Sequence, residues 1–211
     1  MNITFIGYGN VGAPLADRLQ RLGHTVTLAA RDLNSDAVTK VQAINPALKA
    51  VSMEEAVRGA DMVFLATPYA VNAQVIPALA DALAGKVLVD CTNPVGPGLS
   101  HCLNSVQSGS QALQALAPKA RVVKAFTIYG FENLQDSAYP AYNVKPVMMY
   151  CGDDAQAKQG TASLIEQLGF DALDVGGLEQ ALHLEHMTLL WVRMVRMKGH
   201  SPNLVWAALK R

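Results

Sequence analysis

The feature that most constrains this chain is a glycine motif near its N-terminus, Gly7–Gly12 (GYGNVG). The motif follows a short apolar run and opens an amphipathic pattern over residues 11–22, so it lies at a strand-to-helix turn. In that context Gly7 permits the tight turn, Gly9 lets the backbone approach a pyrophosphate, and Gly12 lets helix and strand pack closely. The helix N-terminus adds amide donors and a partial positive charge. The motif therefore predicts a dinucleotide-binding βαβ unit.

Short apolar runs alternate with longer amphipathic stretches along the rest of the chain, which indicates strands and helices in turn. Strands are expected over residues 3–6, 25–29, 62–66, 86–90, 121–126, 147–151 and 173–175, with a weak one near 50–51. Helices are expected over residues 11–22, 34–44, 53–58, 70–84, 102–117, 154–168 and 178–198, with a short one after 202. This pattern predicts the α/β class, a doubly wound parallel sheet (Rossmann) with a small C-terminal α/β extension. An aromatic loop at 127–145 separates a dinucleotide-binding domain, 1–145, from a small C-terminal domain, 146–211.

Composition excludes several other classes of protein. Of the 211 residues 51% are hydrophobic and 16% charged, a balance that favours a homodimer hiding part of an apolar surface. Lysine plus arginine equals aspartate plus glutamate at 17 each, so no net charge attracts nucleic acid or a membrane. The first apolar run ends at Gly7 without a basic segment before it, so neither a signal peptide nor a membrane span is expected. Three cysteines without a CxxC pair fit a cytoplasmic protein.

The end of the second predicted strand indicates which dinucleotide binds. NAD-binding chains commonly place an acidic residue there to hold the ribose hydroxyls, whereas this chain has Ala30 followed by Arg31. A guanidinium provides a fork of donors suited to the 2′-phosphate of NADP, and Ser35 adds a hydroxyl nearby. The alternative is that Arg31 is a solvated surface residue. The sequence thus favours NADP as the cofactor.

Two further turns are expected at the same edge of the sheet. Thr67 and Pro68 follow the strand over 62–66, and Asn93 and Pro94 follow the strand over 86–90. Ligands of open α/β sheets lie over the carboxyl ends of the strands, so both turns are expected to line the nicotinamide half of the site. The alternative for each proline is that it only ends its strand.

Taken in order, these motifs resemble the NADP oxidoreductases that use the deazaflavin coenzyme F420, and the related cytoplasmic domain of six-transmembrane metalloreductases. The resemblance spans nearly all of the chain. It rests on Gly7–Gly12, Arg31, Val89–Pro94, Val122–Phe126, Cys151–Ala155, Val175–Leu178, Leu184-Glu185 and Leu189–Trp191. It implies an enzyme that transfers hydride between NADP(H) and a small-molecule acceptor, F420 or a flavin.

The resemblance also implies roles for individual residues. The residues implied around the pyrophosphate are Tyr8, Gly9, Asn10 and Val11, and those implied around the 2′-phosphate are Ala30, Arg31 and Ser35. Asn93 and the backbone after Gly130, including Phe131, are implied near the nicotinamide. The deazaflavin is implied to stack over that ring, between the loop 127–131 and the C-terminal domain.

The loop implied to receive the acceptor departs from the family pattern. The family usually reads Lys-Ala-Phe-Asn-Thr-Ile-Gly-Ala, whereas this chain continues after its Lys-Ala-Phe with Thr127, Ile128, Tyr129, Gly130 and Phe131. We expect Thr127, Tyr129 and Phe131 on the acceptor side. The two aromatic rings either stack on a tricyclic acceptor or fill the pocket that relatives leave for it. An arginine common in the final helix of the family is Leu182 here.

No catalytic residue and no metal site are expected from the remaining polar residues. His183, Glu185 and His186 share one predicted helix, but no third ligand pattern accompanies them. Hydride transfer between stacked rings needs little proton handling, so no single histidine is expected to be essential, neither those two nor His101 and His200. Two other functions stay open, an NADP-dependent dehydrogenase of a small metabolite and a non-catalytic NADP(H) sensor. Only roughly 60 residues follow the loop, which argues against the dehydrogenase, since such enzymes usually carry a long helical C-terminal domain.

Overall fold

All eight predicted strands form in a computed structural model that describes residues 1–209 and 211, with bounds that differ by a few residues from those expected. The strands are β1 (Asn2–Ile6), β2 (Thr25–Ala30), β3 (Lys49–Ser52), β4 (Met62–Leu65), β5 (Val87–Asp90), β6 (Arg121–Lys124), β7 (Val147–Gly152) and β8 (Asp171–Asp174). They lie side by side in the order β3-β2-β1-β4-β5-β6-β7-β8. All neighbours are parallel except β6 and β7, which are antiparallel. The predicted Rossmann-like α/β fold is confirmed.

Four of the helices described begin at a short polar side chain that caps them. They are α1 (Gly12–Arg21), α2 (Asp36–Ile44), α3 (Met53–Arg58), α4 (Asn72–Leu79), α5 (Gly109–Leu116), α6 (Glu132–Gln135), α7 (Ala155–Gln167) and α8 (Ala181–Val192), which continues as a π-helical turn, Arg193–Met197. Ser35, Ser52, Ser108 and Asp154 each accept a backbone N–H at a helix start. Such caps satisfy amides that the first helical turn leaves unpaired.

The central strands are buried on both faces, as a parallel sheet covered by helices requires. Every residue of β4 and β5 is buried. In β1, Phe5 packs into a core on one face while Ile6 packs into the core on the other. Phe5 stacks on Phe64 with ring centroids 4.7 Å apart, and Phe126 lies against Phe64 at 5.5 Å. Alternating side chains of each strand thus hold both helical layers to the sheet.

Two sequence predictions of local structure are wrong. The helix expected over 102–117 begins only at Gly109, because Ser108 caps it there with a capping box and the preceding residues form turns. The helix expected after 202 does not form. Its segment runs as an extended tail whose main chain bonds to other elements, with the Val147 amide donating to the Trp206 carbonyl at 2.8 Å. Tertiary contacts there replace the hydrogen bonds that a helix would make.

The order of the strands places a crevice over the sheet. The chain runs outward from β1 to β2 and β3, then crosses back to β4 on the other side of β1. The carboxyl ends of β1 and β4 therefore carry helices to opposite faces, and a ligand-sized crevice opens between them. The strands β7 and β8 extend the same sheet, so the division at residue 145 stays a prediction. In the part of the chain that the structure describes, no helix is both long enough and apolar enough to cross a membrane.

Candidate functional site

A cavity of about 360 Å³ lies over the carboxyl ends of β1, β2 and β4. The glycine motif forms its floor, the end of β2 forms one wall, and the start of α4 forms the other. The lining residues are Ile6, Gly7, Tyr8, Gly9, Ala29, Arg31, Asp32, Ser35, Ala37, Met53, Thr67, Val71 and Val75. An apolar cleft with a few polar groups at one end is typical of a nucleotide site.

The three motif glycines differ in what surrounds them. Gly7 has φ +90°, and a Cβ there would lie 2.7 Å from the Thr67 nitrogen, so both conformation and space require glycine. A Cβ on Gly12 would clash with the Gly7 carbonyl. A Cβ on Gly9, in contrast, would meet no atom within 4 Å. Gly7 and Gly12 thus serve the fold, whereas the space over Gly9 is open to a ligand.

Arg31 and Ser35 lie together at the polar end of this cavity. Arg31 is exposed, and within the described residues no carboxylate pairs with it. The neighbouring Asp32 accepts the Asn34 amide at 2.9 Å, so its carboxylate is occupied in the turn. Burial raises the pKa of Tyr8, against smaller lowering effects of Ser35 and Arg31. The site thus presents an uncommitted guanidinium and two neutral hydroxyls, a set that suits a phosphate.

A chain of hydrogen bonds ties the ends of β4 and β5 together. The Thr67 hydroxyl donates to Asn72 Oδ1 at 2.8 Å, and Asn72 Nδ2 donates to Thr92 Oγ1 at 3.2 Å. The Thr92 hydroxyl donates in turn to Asp90 Oδ1 at 2.7 Å. Thr67 and Pro68 at the first turn are thereby fixed relative to Asn93 and Pro94 at the second.

Three buried charges lie beneath the second turn. Lys124 Nζ is 3.2 Å from both Asp90 Oδ2 and Glu185 Oε1, and all three side chains have no exposed surface. The ammonium also donates to the Thr92 carbonyl. Burial lowers the pKa of Lys124, but the two carboxylates outweigh burial and leave that pKa raised. The lysine therefore stays charged and anchors the turn that carries Asn93.

This charge cluster is a set of residues that sequence reasoning did not single out as a group. Its signal was a charged residue inside each of two apolar strands, at Asp90 and Lys124, since such residues are buried only when paired. Glu185 also binds the Gly109 amide at 2.9 Å and His101 Nε2 at 2.8 Å. The Ser105 amide donates to His101 Nδ1 at 3.3 Å, so both ring nitrogens of His101 have hydrogen-bond partners. His101 thus has a structural contact.

Asn93 and Thr127 end in buried side-chain oxygens without hydrogen-bond partners among the described residues. Asp90 of β5 pairs with Lys124 of β6 in the sheet register. Asn93 lies three positions after Asp90, and Thr127 lies three positions after Lys124. They therefore leave neighbouring strands at the same level of the sheet edge. Buried oxygens without partners are rare in folded proteins, and a bound ligand can satisfy them.

The aromatic residues of the loop lie in different places. Tyr129 is buried, its ring stacks on Phe170 with centroids 6.1 Å apart, and its hydroxyl donates to the Val147 carbonyl at 3.1 Å. The structure therefore does not bring Tyr129 together with the crevice residues. Phe131 is half-buried and begins the turn into α6.

The polar residues of α8 are spread over its faces. Glu185 points into the buried charge cluster, whereas His183 and His186 are exposed. Across residues 1–209 and 211, no three His, Cys, Asp or Glu side chains come close enough to hold a metal ion.

Comparison with known proteins gives a consistent picture. Residues 2–94 match the family described as NADP oxidoreductase coenzyme F420-dependent. The chain is 32% identical over 188 residues to the metalloreductase STEAP3 of Rattus norvegicus, covering 89% of this chain and 36% of that protein. It therefore spans about a third of that relative's length. It is 28% identical over 206 residues to an F420-dependent NADP reductase of Methanothermobacter marburgensis, covering 89% of each.

A solved structure is similar over the whole chain. It is described as a candidate F420-dependent NADP reductase from Arthrobacter sp. FB24, with a TM-score of 0.88, 29% identity and 100% of both chains covered. The similarity includes the strands and helices that follow residue 94, which the family match does not reach.

Proposed function

We propose that the chain is an oxidoreductase that uses NADP(H), because residues 2–94 match the family described as NADP oxidoreductase coenzyme F420-dependent. The observation that carries this proposal is the open space over Gly9, continuous with a cavity that ends at Arg31 and Ser35. A pyrophosphate fits over Gly9 and a 2′-phosphate fits against the guanidinium. When NADPH is bound, its nicotinamide supplies the hydride.

In this proposal the protein binds and orients the cofactor. The backbone of Tyr8, Gly9, Asn10 and Val11, at the N-terminus of α1, holds the pyrophosphate. Ala30, Arg31 and Ser35 hold the ribose phosphate. Thr67, Pro68, Asn93 and Pro94 line the nicotinamide half, where the unpartnered Asn93 oxygen can accept a hydrogen bond from a carboxamide. Such positioning lowers the barrier because the reacting atoms meet already aligned.

We further propose that the acceptor is a flavin or a deazaflavin such as F420. The reductase from M. marburgensis is F420-dependent by name, and this chain covers 89% of it. Thr127 and Phe131 lie on the loop that leaves β6 next to Asn93, which is the side from which an acceptor would approach. His101, beside the buried carboxylates, is hydrogen-bonded through both ring nitrogens to Glu185 and to the Ser105 amide, so the proposal gives it a structural role and not a proton-transfer role.

An acceptor panel tests this function. NADPH oxidation is followed by absorbance with F420, FMN, FAD, ferric chelates and quinones, and NADH serves as the matched control donor. We expect turnover with NADPH and a tricyclic acceptor, and much slower turnover with NADH. NADPH binding without oxidation in the presence of any acceptor would instead indicate a sensor.

A further inference from the structure

The loop that follows β6, residues 126–131, has an unusual backbone. We call it the acceptor loop. Phe126 has φ +55° and Ile128 has φ +70°, both in the left-handed region. A β-branched residue such as Ile128 rarely adopts this conformation, because its side chain then crowds the backbone. Strained backbone of this kind persists only where surrounding contacts over-determine it.

Two side chains from the C-terminal part of the chain fix the main chain of Ile128. Its amide donates to Thr188 Oγ1 at 3.0 Å, and its carbonyl accepts the indole N–H of Trp206 at 3.1 Å. Both the amide and the carbonyl of Ile128 are therefore held by side chains remote in sequence. Thr188 lies on α8, where its own hydroxyl donates to the Leu184 carbonyl at 3.0 Å and so cannot rotate away.

The tail that carries Trp206 is itself fixed. The Trp206 carbonyl accepts the Val147 amide at 2.8 Å, and Trp191 Nε1 donates to the Leu204 carbonyl at 2.7 Å. The Trp191 ring also fills the space beside Gly130, where a Cβ would clash with it. The acceptor loop is thus clamped from α8 and from the tail at once.

We infer that Thr188 and Trp206 are positioning residues that hold the acceptor loop in the shape in which acceptor and nicotinamide meet. The inference rests on the proposed function, since it assigns the loop to the acceptor side. Between the two left-handed residues lies Thr127, whose buried hydroxyl has no partner in the described structure. Fixing the peptide at Ile128 fixes Thr127 as well. Loss of either clamp lets the loop relax toward ordinary φ values and moves the surface on which the acceptor rests.

The test compares variants that remove one hydrogen bond each. Thr188→Val keeps the side-chain shape and removes the acceptor of the Ile128 amide, whereas Thr188→Ser keeps a hydroxyl and is its matched control. Trp206→Phe removes the indole N–H and keeps an aromatic ring. Ser201→Ala is the control for the tail, because its hydroxyl accepts the Asn203 amide at 3.1 Å, a hydrogen bond within the tail that does not involve the acceptor loop.

Two readouts are combined. Amide hydrogen exchange, measured by NMR on the protein alone, should be at least about tenfold faster at Ile128 in Thr188→Val and Trp206→Phe. With the acceptor that the wild type reduces, kcat should fall about ten- to a hundredfold in both, since misplacement of about 1 Å has effects of that order. The Kd for NADPH should stay within about twofold, because the glycine motif and Arg31 are untouched. The two controls should match the wild type.

Four results would overturn the inference. Unchanged exchange at Ile128 in both variants shows that the clamp does not hold the loop. Faster exchange with unchanged kcat, or an equal loss of kcat in Thr188→Ser, shows that the clamp is structural only. Absence of turnover by the wild type with every acceptor refutes the proposed function and, with it, the catalytic role of the clamp; the exchange data distinguish that case from a failed clamp.

Discussion

Replacing Arg31 by alanine should remove the preference for NADP over NAD. Arg31 is exposed at the polar end of the cavity and has no carboxylate partner in the described part of the chain. A hydrogen bond to a charged group contributes about 1.5–3 kcal/mol. Since solvent weakens an exposed pair, we take the lower end, about 1.5 kcal/mol, which is about tenfold in Kd. The Kd for NAD should not change, because NAD lacks the 2′-phosphate.

Isothermal titration of both dinucleotides into wild type and Arg31→Ala measures this difference. Arg21→Ala is the matched control, since Arg21 is exposed on α1, pairs with Asp17 at 2.8 Å and does not line the cavity. The interaction should also weaken with added salt, as expected for exposed charges. Equal affinity of the wild type for NAD and NADP, or an unchanged preference in Arg31→Ala, would refute the assignment of the 2′-phosphate to this end of the site.

Gly9→Val should fold normally by circular dichroism yet lose NADPH binding, because the valine side chain occupies the open space over the glycine motif. Normal NADPH binding by this variant would show that the pyrophosphate does not lie over Gly9. Lys124→Met should lower the free energy of unfolding by about 3–5 kcal/mol, since it leaves two buried carboxylates unpaired. Urea titration measures that loss, exposed Lys119→Met is the control, and a loss below about 1 kcal/mol would contradict it. The raised pKa of Lys124 means that its stabilisation is complete at neutral pH and is lost only as alkaline pH passes that pKa. A thiol reagent at pH 8 should modify one cysteine, the exposed Cys102, because burial raises the pKa of Cys151 to about 12; three reactive thiols before unfolding would be inconsistent with the structure.

The sequence was sufficient to predict the sheet and a crevice over the carboxyl ends of its strands, because both follow from local steric requirements. Gly7 is required by its φ of +90°, and Gly12 is required by its contact with the Gly7 carbonyl, so the motif Gly7–Gly12 is recognisable in the sequence. Apolar runs likewise indicate the buried strands. The position of Arg31 at the end of β2 was predictable for the same reason, since one helix and one strand separate it from the motif.

The acceptor side was less predictable, because contacts between distant residues shape it. The sequence left open whether Tyr129 stacks on an acceptor or fills its pocket; the ring packs on Phe170 in the core, a contact that no local pattern indicates. Ile128 has no sequence signal for a left-handed backbone, and its main chain bonds Thr188 and Trp206, which lie 60 and 78 positions away. The antiparallel pairing of β6 with β7 likewise depends on where the whole C-terminal segment returns to the sheet.

The buried carboxylate of Glu185 has a consequence for how the chain folds. It comes from α8, yet it binds Lys124, the Gly109 amide and the His101 ring, all from the N-terminal part. A chain lacking α8 would leave the Gly109 amide and His101 Nε2 without this acceptor and would take one of two carboxylates from Lys124, at about 1–3 kcal/mol for each group left unsatisfied. That sum is a large part of the roughly 5–15 kcal/mol by which a domain is stable. Because α8 supplies an acceptor to groups of the N-terminal part, we expect the two parts to unfold together, and calorimetry should show one cooperative unfolding transition, not two.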